Sequence, residues 1–412
     1  MNHVMSDGLV NDTPSNGAAA ETRSAARRPA EHGRARSGRA YLDAASVAPL
    51  HPAAREALLA ALDDGWADPR RLHREGSQAR LLLDGAREAI AAALGARTPE
   101  VGFTGSHVLA VHSAVLGTLR ARRRAGTTAV TSAVEHSAVL NATAYGATDV
   151  TQVPVDTAGR VDLDAFVAAV QSYGTAIACL QSANGEVGTR QPIEAAAEAA
   201  AAAGVPLLVD AAASIGHDTP PAAWDLLIAD PRAWGAPSGL GVFAIRERTR
   251  WLAAGPEHDG LERVAGEVFI PAALAAAVSL QAVTAEREVE APRRRRLVER
   301  LRAAAAAVPD VEVVGDAEDR LPHVATFSCL FVDGEVLVGE LDRAGYAVGS
   351  GSACTAASLR PSHVLAAMGV LTHGNVRVGL PVGVSEEAVR GFCAALPGAV
   401  ARVRAMLGAS DL

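Results

Sequence analysis

Between residues 127 and 209 the chain alternates between two hydrophobic periods. Short β-type runs at 127–133, 149–153, 175–181 and 205–209 are separated by helical patterns at 138–146, 162–171 and 191–203. Strands that recur with a helix between each pair predict an α/β fold built on a large, doubly wound, mostly parallel sheet. In such sheets ligands bind beyond the carboxyl ends of the strands. Polar residues there are the first candidates for function, and two stand out. His136 follows the 127–133 strand, and Asp210 ends the apolar run Val205-Pro206-Leu207-Leu208-Val209. Residue type alone leaves both open, since a lone histidine after a strand is often a cap and a strand-end carboxylate is common.

The rest of the chain frames that sheet. With 412 residues, 49% of them hydrophobic, there is material for one large and one small domain. Residues 1–39 are rich in Ala, Arg, Ser and Gly without apolar periodicity and read as a disordered extension. Residues 40–271 form the large domain, with helices at 53–63 and 79–94 and a strand at Val101–Thr104. Residues 272–412 supply a long helix (272–306), strands at 311–314 and 325–332 and a helix from Gly334 to Leu341, together a smaller α/β domain.

Charge and cysteine content exclude several functions. Against 46 acidic residues stand 38 basic ones, a net charge of -8, so no excess positive charge points to nucleic acid. The run Arg293–Arg296 sits beside acidic residues and reads as a solvated helix face. Cys179, Cys329, Cys354 and Cys393 show neither CxxC pairing nor metal-ligand spacing, which suits a reducing cytoplasm. No apolar run is long enough to span a membrane, and no signal-peptide core is present. All 38 basic residues are arginine, so the chain contains no lysine. A guanidinium cannot replace an amine that must form a Schiff base.

The segment Gly349–Gly369 gathers small residues around Cys354 before a helical apolar pattern. Glycines and serines there suit a mobile loop, on which a thiol can carry or attack sulfur; an incidental cysteine on a surface loop is the alternative. Arg377, in Asn375-Val376-Arg377-Val378, reads by residue type alone as a strand-edge ion-pair partner.

Ser350-Gly351-Ser352-Ala353-Cys354-Thr355, followed by Pro361-Ser362-His363-Val364-Leu365, resembles the active-cysteine loop of the NifS/IscS-type cysteine desulfurases. These are class V aminotransferase enzymes of pyridoxal phosphate (PLP) fold type I. Tyr41-Leu42-Asp43, Leu50-His51-Pro52, Asp68-Pro69 with His73 and Gly76, and Ala183-Asn184-Gly185-Glu186-Val187-Gly188-Thr189 extend the likeness, which runs from about Tyr41 to Leu407. The resemblance implies that His136 stacks on the cofactor ring, that Asp210 pairs with its pyridine nitrogen, that Asn184 and Arg377 contact substrate, and that Cys354 carries the persulfide. It also implies a dimer with active sites at the subunit interface.

The departures cluster. In Asp225–Gly241 the Schiff-base lysine position is Ala233, its histidine neighbour is Arg232, and a serine is replaced by Asp230, whose charge should repel a phosphate unless Arg232 compensates it. Gly185 and Ala213 replace ring-contacting Asn and Gln. His107 and Val108 interrupt the small-residue phosphate cup at a helix N-terminus. Glu267 replaces a phosphate-binding threonine, and Val382 a second arginine. The expectation is therefore a desulfurase-like protein with a degenerate PLP site, holding no PLP or at most non-covalent PLP, and inactive in the family reaction. It would be a non-catalytic paralogue or heteromeric partner in sulfur transfer, cytoplasmic, paired with itself or with an intact desulfurase, serving a sulfur-acceptor protein, and binding neither nucleic acid nor membrane. Alternatives are a Cys354 persulfide relay, a desulfurase converting L-cysteine to L-alanine plus enzyme persulfide, and a decaying paralogue without a role.

Overall fold

The computed structural model describes residues 39–256, 260, 262–350 and 361–409. The expected N-terminal extension, apart from Arg39, and Cys354 lie outside the described residues. The chain opens with β1 (Ala40–Tyr41), α1 (Pro52–Asp64) and α2 (Arg74–Leu94). Two histidines set the helix starts. His51 Nδ1 accepts from the Ala53 N–H ahead of Pro52 in the first turn, and His73 Nδ1 accepts from the Gly76 N–H. The second cap starts α2 at Arg74, earlier than the apolar pattern from Ala79 indicates.

The expected alternation then follows: β2 (Val101–Thr104), α3 (His107–Arg122), β3 (Thr128–Ser132), α4 (Ser137–Gly146), β4 (Asp149–Val153), α5 (Leu163–Val170), β5 (Thr175–Gln181), α6 (Ile193–Ala202), β6 (Leu207–Asp210), β7 (Leu226–Ala229) and β8 (Gly241–Ile245). These strands form one sheet in the order β2-β8-β7-β6-β5-β3-β4. Only β8 runs against the direction of the other six strands, so the sheet is mostly parallel. Every residue of β5 and β6 is buried, the mark of strands covered on both faces. Leu180, Val209 and Val242 face one apolar core, while Cys179, Leu208 and Phe243 face another.

The long helix α7 (Ile270–Ala306) joins this sheet to the C-terminal elements. Ala273, Ala276 and Leu280 pack into the first core, whereas Leu297, Val298 and Leu301 pack into a separate one. That core is built from β9 (Val311–Val314), β10 (Val324–Cys329), α8 (Gly334–Arg343), β11 (Tyr346–Ala347), β12 (Asn375–Gly379) and α10 (Glu386–Met406), with an antiparallel sheet in the order β12-β10-β9, while α9 (His363–Met368) packs Val364, Leu365 and Met368 against Val134 and Val187. Leu42 joins it, because β1 pairs in parallel with β11. No described helix is long and apolar enough to cross a membrane.

Candidate functional site

The carboxyl edge of the large sheet brings three loops together. Asp210 is the last residue of β6, in register with Gln181 of β5. His136 caps α4 just beyond β3, its Nδ1 accepting from the Ala138 N–H at 3.1 Å. Beyond β2, Ser106 caps α3, its Oγ accepting from the Leu109 N–H at 3.2 Å. His107 is therefore the first residue of α3. Gly241 of β8 permits this seat: a Cβ there would lie 2.1 Å from the Ser106 carbonyl oxygen and 2.7 Å from the His107 nitrogen.

His107 and Asp210 are in direct contact. His107 Nε2 lies 3.1 Å from each carboxylate oxygen of Asp210, and both residues are buried. Burial disfavours the histidine charge, but the Asp210 carboxylate and its hydrogen bond outweigh this and raise the His107 pKa. Burial likewise opposes the Asp210 charge, and His107 reverses it, leaving the Asp210 pKa lowered. Each residue thus favours the charged form of the other, although burial and a helix N-terminus both disfavour the cation. The His136 ring meets the His107 ring edge to face, with centroids 4.9 Å apart and planes at 86°. His136 keeps exposed area, yet desolvation lowers its pKa.

The ligand atoms of His107, His136 and Asp210 lie within 4.8 Å of one another, a separation that invites a divalent ion. Tautomer chemistry opposes it. The His136 Nδ1 lone pair accepts the Ala138 N–H, so the neutral ring carries its proton on Nε2 and has no second lone pair for a metal.

The surrounding residues brace this arrangement. Asn184 Oδ1 accepts from Glu186 and Val187 N–H groups at 2.8 and 2.9 Å, and its Nδ2 donates to the Val134 carbonyl at 3.1 Å. Its amide thereby shapes the loop after β5. Arg377, on β12, donates to Ser46 Oγ and to the Gly185 carbonyl at 3.4 Å, with Asp43 at 3.6 Å. Ala233 lies in the short 3-10 turn Pro231–Trp234, its carbonyl accepting from His217 Nε2 at 2.9 Å. Arg232 does compensate Asp230, with Nη2 2.6 Å from Oδ2. His363 Nε2 reaches the Glu135 carbonyl at 2.9 Å and Ser362 Oγ donates to Glu186 Oε2 at 2.8 Å, so α9 is anchored beside the site. Desolvation holds the thiol of Cys329 up at about 12 and that of Cys179 well above its ordinary value, so both are poor nucleophiles.

With this geometry in place, comparison with known proteins is informative. Residues 40–392 match the family described as Aminotransferase class-V. The chain belongs to that family. It is 31% identical to cysteine desulfurase IscS of Dictyoglomus turgidum over 367 residues, covering 84% of this chain and 91% of that protein. It is 32% identical to cysteine desulfurase NifS of Azotobacter vinelandii over 378 residues, covering 88% and 93%. A solved NifS-like protein superposes with a TM-score of 0.81 at 24% identity, covering 88% of this chain and all of that one. An apo cysteine desulfurase from Thermococcus onnurineus gives 0.76 at 22% identity, covering 88% and 94%. These likenesses place the chain among the NifS/IscS-type proteins of PLP fold type I.

The class V aminotransferases use PLP, and the residues gathered here do not fit it. No side chain in the protein carries the amine that would hold it covalently. The carboxylate whose counterpart would be the ring nitrogen has both oxygens on His107. Arg232 is turned onto Asp230, so the two charges offset each other and the guanidinium is engaged there. Two participants escaped the sequence reading. His107 stood out there only as bulk in the phosphate cup; the absent lysine and a histidine leading into α3 were the joint signal that Asp210 has a new partner. Glu135, beside His136, is fully buried, and desolvation pushes its pKa up to about 8, against the backbone N–H of Gln181 and aided by Asp210. Nothing in its local sequence marks it.

Proposed function

We propose that this chain is a cysteine desulfurase-like protein that does not carry out the PLP reaction and serves as a non-catalytic partner in sulfur transfer, paired with an intact desulfurase. The observation that carries this reading is the His107–Asp210 contact in a protein without lysine. Losing both the covalent anchor and the proton-transferring amine removes nucleophilic and general-base catalysis together. Near-complete retention of the fold beside that site favours a role that needs the shape rather than the chemistry. A surface suited to a partner is present: Trp66 is 71% exposed, Phe269 50% and Leu72 99%. Trp66 and Phe269 line a groove of about 570 Å³ with Leu62, Leu83, Val268 and Ile270.

The competing reading, that the chain is itself a cysteine desulfurase, is favoured by the names of relatives matching most of its length. One experiment separates the two. Purified protein is incubated with PLP and L-cysteine, its visible spectrum recorded and alanine and sulfide assayed, and it is then co-expressed with an intact desulfurase. No bound chromophore, no products and co-purification with the desulfurase are expected. A cysteine-responsive chromophore with sulfide release would establish the competing reading.

A further inference from the structure

We propose that a cleft at the amino edge of the large sheet binds a tetrahedral oxyanion of the phosphate or sulfate type, taken up by Arg122, Arg250 and the indole N–H of Trp224. The inference concerns a place remote from His107 and does not depend on the reading above. Asp210 ends β6, whereas this cleft opens where parallel strands begin: Pro206 precedes β6, Asp225 precedes β7 and Glu100 precedes β2. Because β8 runs the other way, its last residue, Ile245, delivers Arg246 to the same edge. A turn closed by the Thr249 N–H on the Arg246 carbonyl at 2.8 Å then leads to Arg250. Arg122 arrives from the last turn of α3. The cleft these elements line has a volume of about 920 Å³.

The arginines around it are unequally committed. Arg97 pairs with Glu100 at 3.0 Å and with Glu247 at 2.5 Å. Arg246 reaches Glu100 at 3.2 Å and lies over the Trp224 ring, its guanidinium carbon 3.5 Å from the centroid. Arg248 pairs with Asp225 at 3.0 Å. Arg122 instead gives Nη2 to the Gly204 carbonyl at 2.8 Å, and among the described residues no carboxylate pairs with it. The exposed Arg250 side chain makes no hydrogen bond or ion pair among the described residues. Burial and then the Arg250 charge lower the Arg122 pKa, with Asp225 opposing them, so the two guanidiniums bear on one another as like charges. Two N–H donors in the wall are also unused. Trp224 is 3% exposed and its Nε1 has no hydrogen-bond partner, nor has the buried Nε of Arg122. A buried donor without an acceptor is costly. Two uncommitted cations and two unused donors, brought from α3, the turn after β8 and the segment before β7, match one acceptor with several oxygens and more than one negative charge. A tetrahedral oxyanion presents oxygens in several directions, which a planar carboxylate does not. Glu194 and Glu198 of α6 also line the cleft, and their exposed charges restrict it to a small anion rather than a polyanion.

The test follows the indole N–H of Trp224 in the full-length protein by proton–nitrogen correlation spectroscopy, its signal being the one lost in Trp224→Phe. Sodium phosphate, sodium sulfate and sodium acetate are titrated separately to about 20 mM against sodium chloride of equal ionic strength, which controls for screening. Phosphate or sulfate should move the Trp224 signal saturably where chloride does not, and the one that saturates at lower concentration is the preferred anion. Acetate should need a roughly tenfold higher concentration. Arg250→Gln, an exposed change that should leave the fold intact, should raise the midpoint of the titration roughly tenfold, the loss expected for one charge-assisted contact. The proposal is overturned if chloride moves the signal equally, if phosphate and sulfate leave it in place, if acetate saturates as readily as either, or if Arg250→Gln responds like wild type. Should Trp224→Phe not fold, calorimetric titration of wild type and Arg250→Gln with phosphate and with sulfate decides instead: a roughly tenfold weaker affinity in the variant supports the site, and equal affinities overturn it.

Discussion

Among the described residues two histidine pairs contrast, one with a buried ring beside a carboxylate and one with buried rings beside a guanidinium. His107 and His136 meet edge to face around Asp210, while His217 and His323 stack at 3.7 Å beside Arg294. In the first pair a carboxylate 3.1 Å away favours the charged form of one imidazole against the cost of burial. In the second, burial followed by the Arg294 charge depresses His217 to about 3, and burial with His217 and Arg294 drives His323 well below its ordinary value. The hydrogen bonds agree. Arg294 Nη1 lies 3.2 Å from His217 Nδ1, which must accept, so the proton sits on Nε2 and is donated to the Ala233 carbonyl. Burial is common to both clusters, so the sign of the neighbouring charge decides the state of each ring. The turn that carries Ala233 is thus tied to the neutral cluster rather than to Asp210.

The sharpest way to break the contrast is to delete the anion. Asp210→Ala leaves His107 in the same buried place with no counter-charge, and removing one partner of a buried pair costs roughly 3–5 kcal/mol. Urea unfolding should register a loss of that size. The pH dependence should change with it. In wild type, His107 has a raised pKa, so its stabilisation is complete below its ordinary value of 6.5 and disappears as pH rises through the folded value. Without Asp210, burial is the largest influence and depresses the His107 pKa, with Arg232 reinforcing and Asp230 opposing it, so its contribution is lost on acidification instead. An unchanged slope would mean that Asp210 does not set the charge of His107.

The parallel sheet was legible because each strand is an apolar run between helical patterns, and burial on both faces imposes that sequence. The positions of Asp210 and His136 followed from the same logic, since strand ends at the carboxyl edge are fixed once the strands are found. The link between His107 and Asp210 was not legible. It joins residues on two separate loops through a side-chain direction, and it depends on Gly241 of a third element permitting close approach. The second cluster was hidden for a similar reason. His217, Arg294 and His323 come from the loop between β6 and β7, the long helix and the turn before β10, and no local period reports their meeting. The cap at His73, by contrast, was a local signal, present in the sequence but outweighed there by the apolar pattern.

The next test adds a third ionisable group to the comparison. Glu135 adjoins the charged cluster yet is itself held neutral, with a pKa of about 8 set by burial. Because the folded value lies above the unfolded one, the folded protein retains a proton that the unfolded chain releases above its ordinary value of 4.5. Stability from this residue therefore falls as pH rises towards the folded value. Glu135→Gln keeps the shape and removes the proton equilibrium, so relative to wild type it should be within about 1 kcal/mol at about pH 5 and gain roughly 3–4 kcal/mol between there and about pH 8. Denaturant midpoints at the two pH values check this. A destabilisation that grows with pH would show that Glu135 is ionised in the folded protein and that Asp210 is not the only anion in its cluster.

The smallest expected effect concerns the neutral pair, and it isolates the cation. Arg294→Met retains apolar bulk while removing a buried guanidinium whose Nε has no hydrogen-bond partner. At neutral pH the loss should be modest, about 1 kcal/mol, because the hydrogen bonds to His217 and Leu380 are offset by relief of the desolvation that lowers Arg294 to about 10. The informative quantity is the acid limb. In wild type, His217 stays neutral in the folded state while the unfolded chain takes up a proton below 6.5, so stability falls as pH drops. Without the Arg294 charge the folded His217 accepts a proton more readily, and the fall between about pH 6.5 and pH 4 should become shallower. Burial is the larger cause and persists, so the slope should decrease without vanishing. An unaltered slope would show that burial alone keeps His217 neutral, and the two clusters would then differ only in the anion that one of them contains.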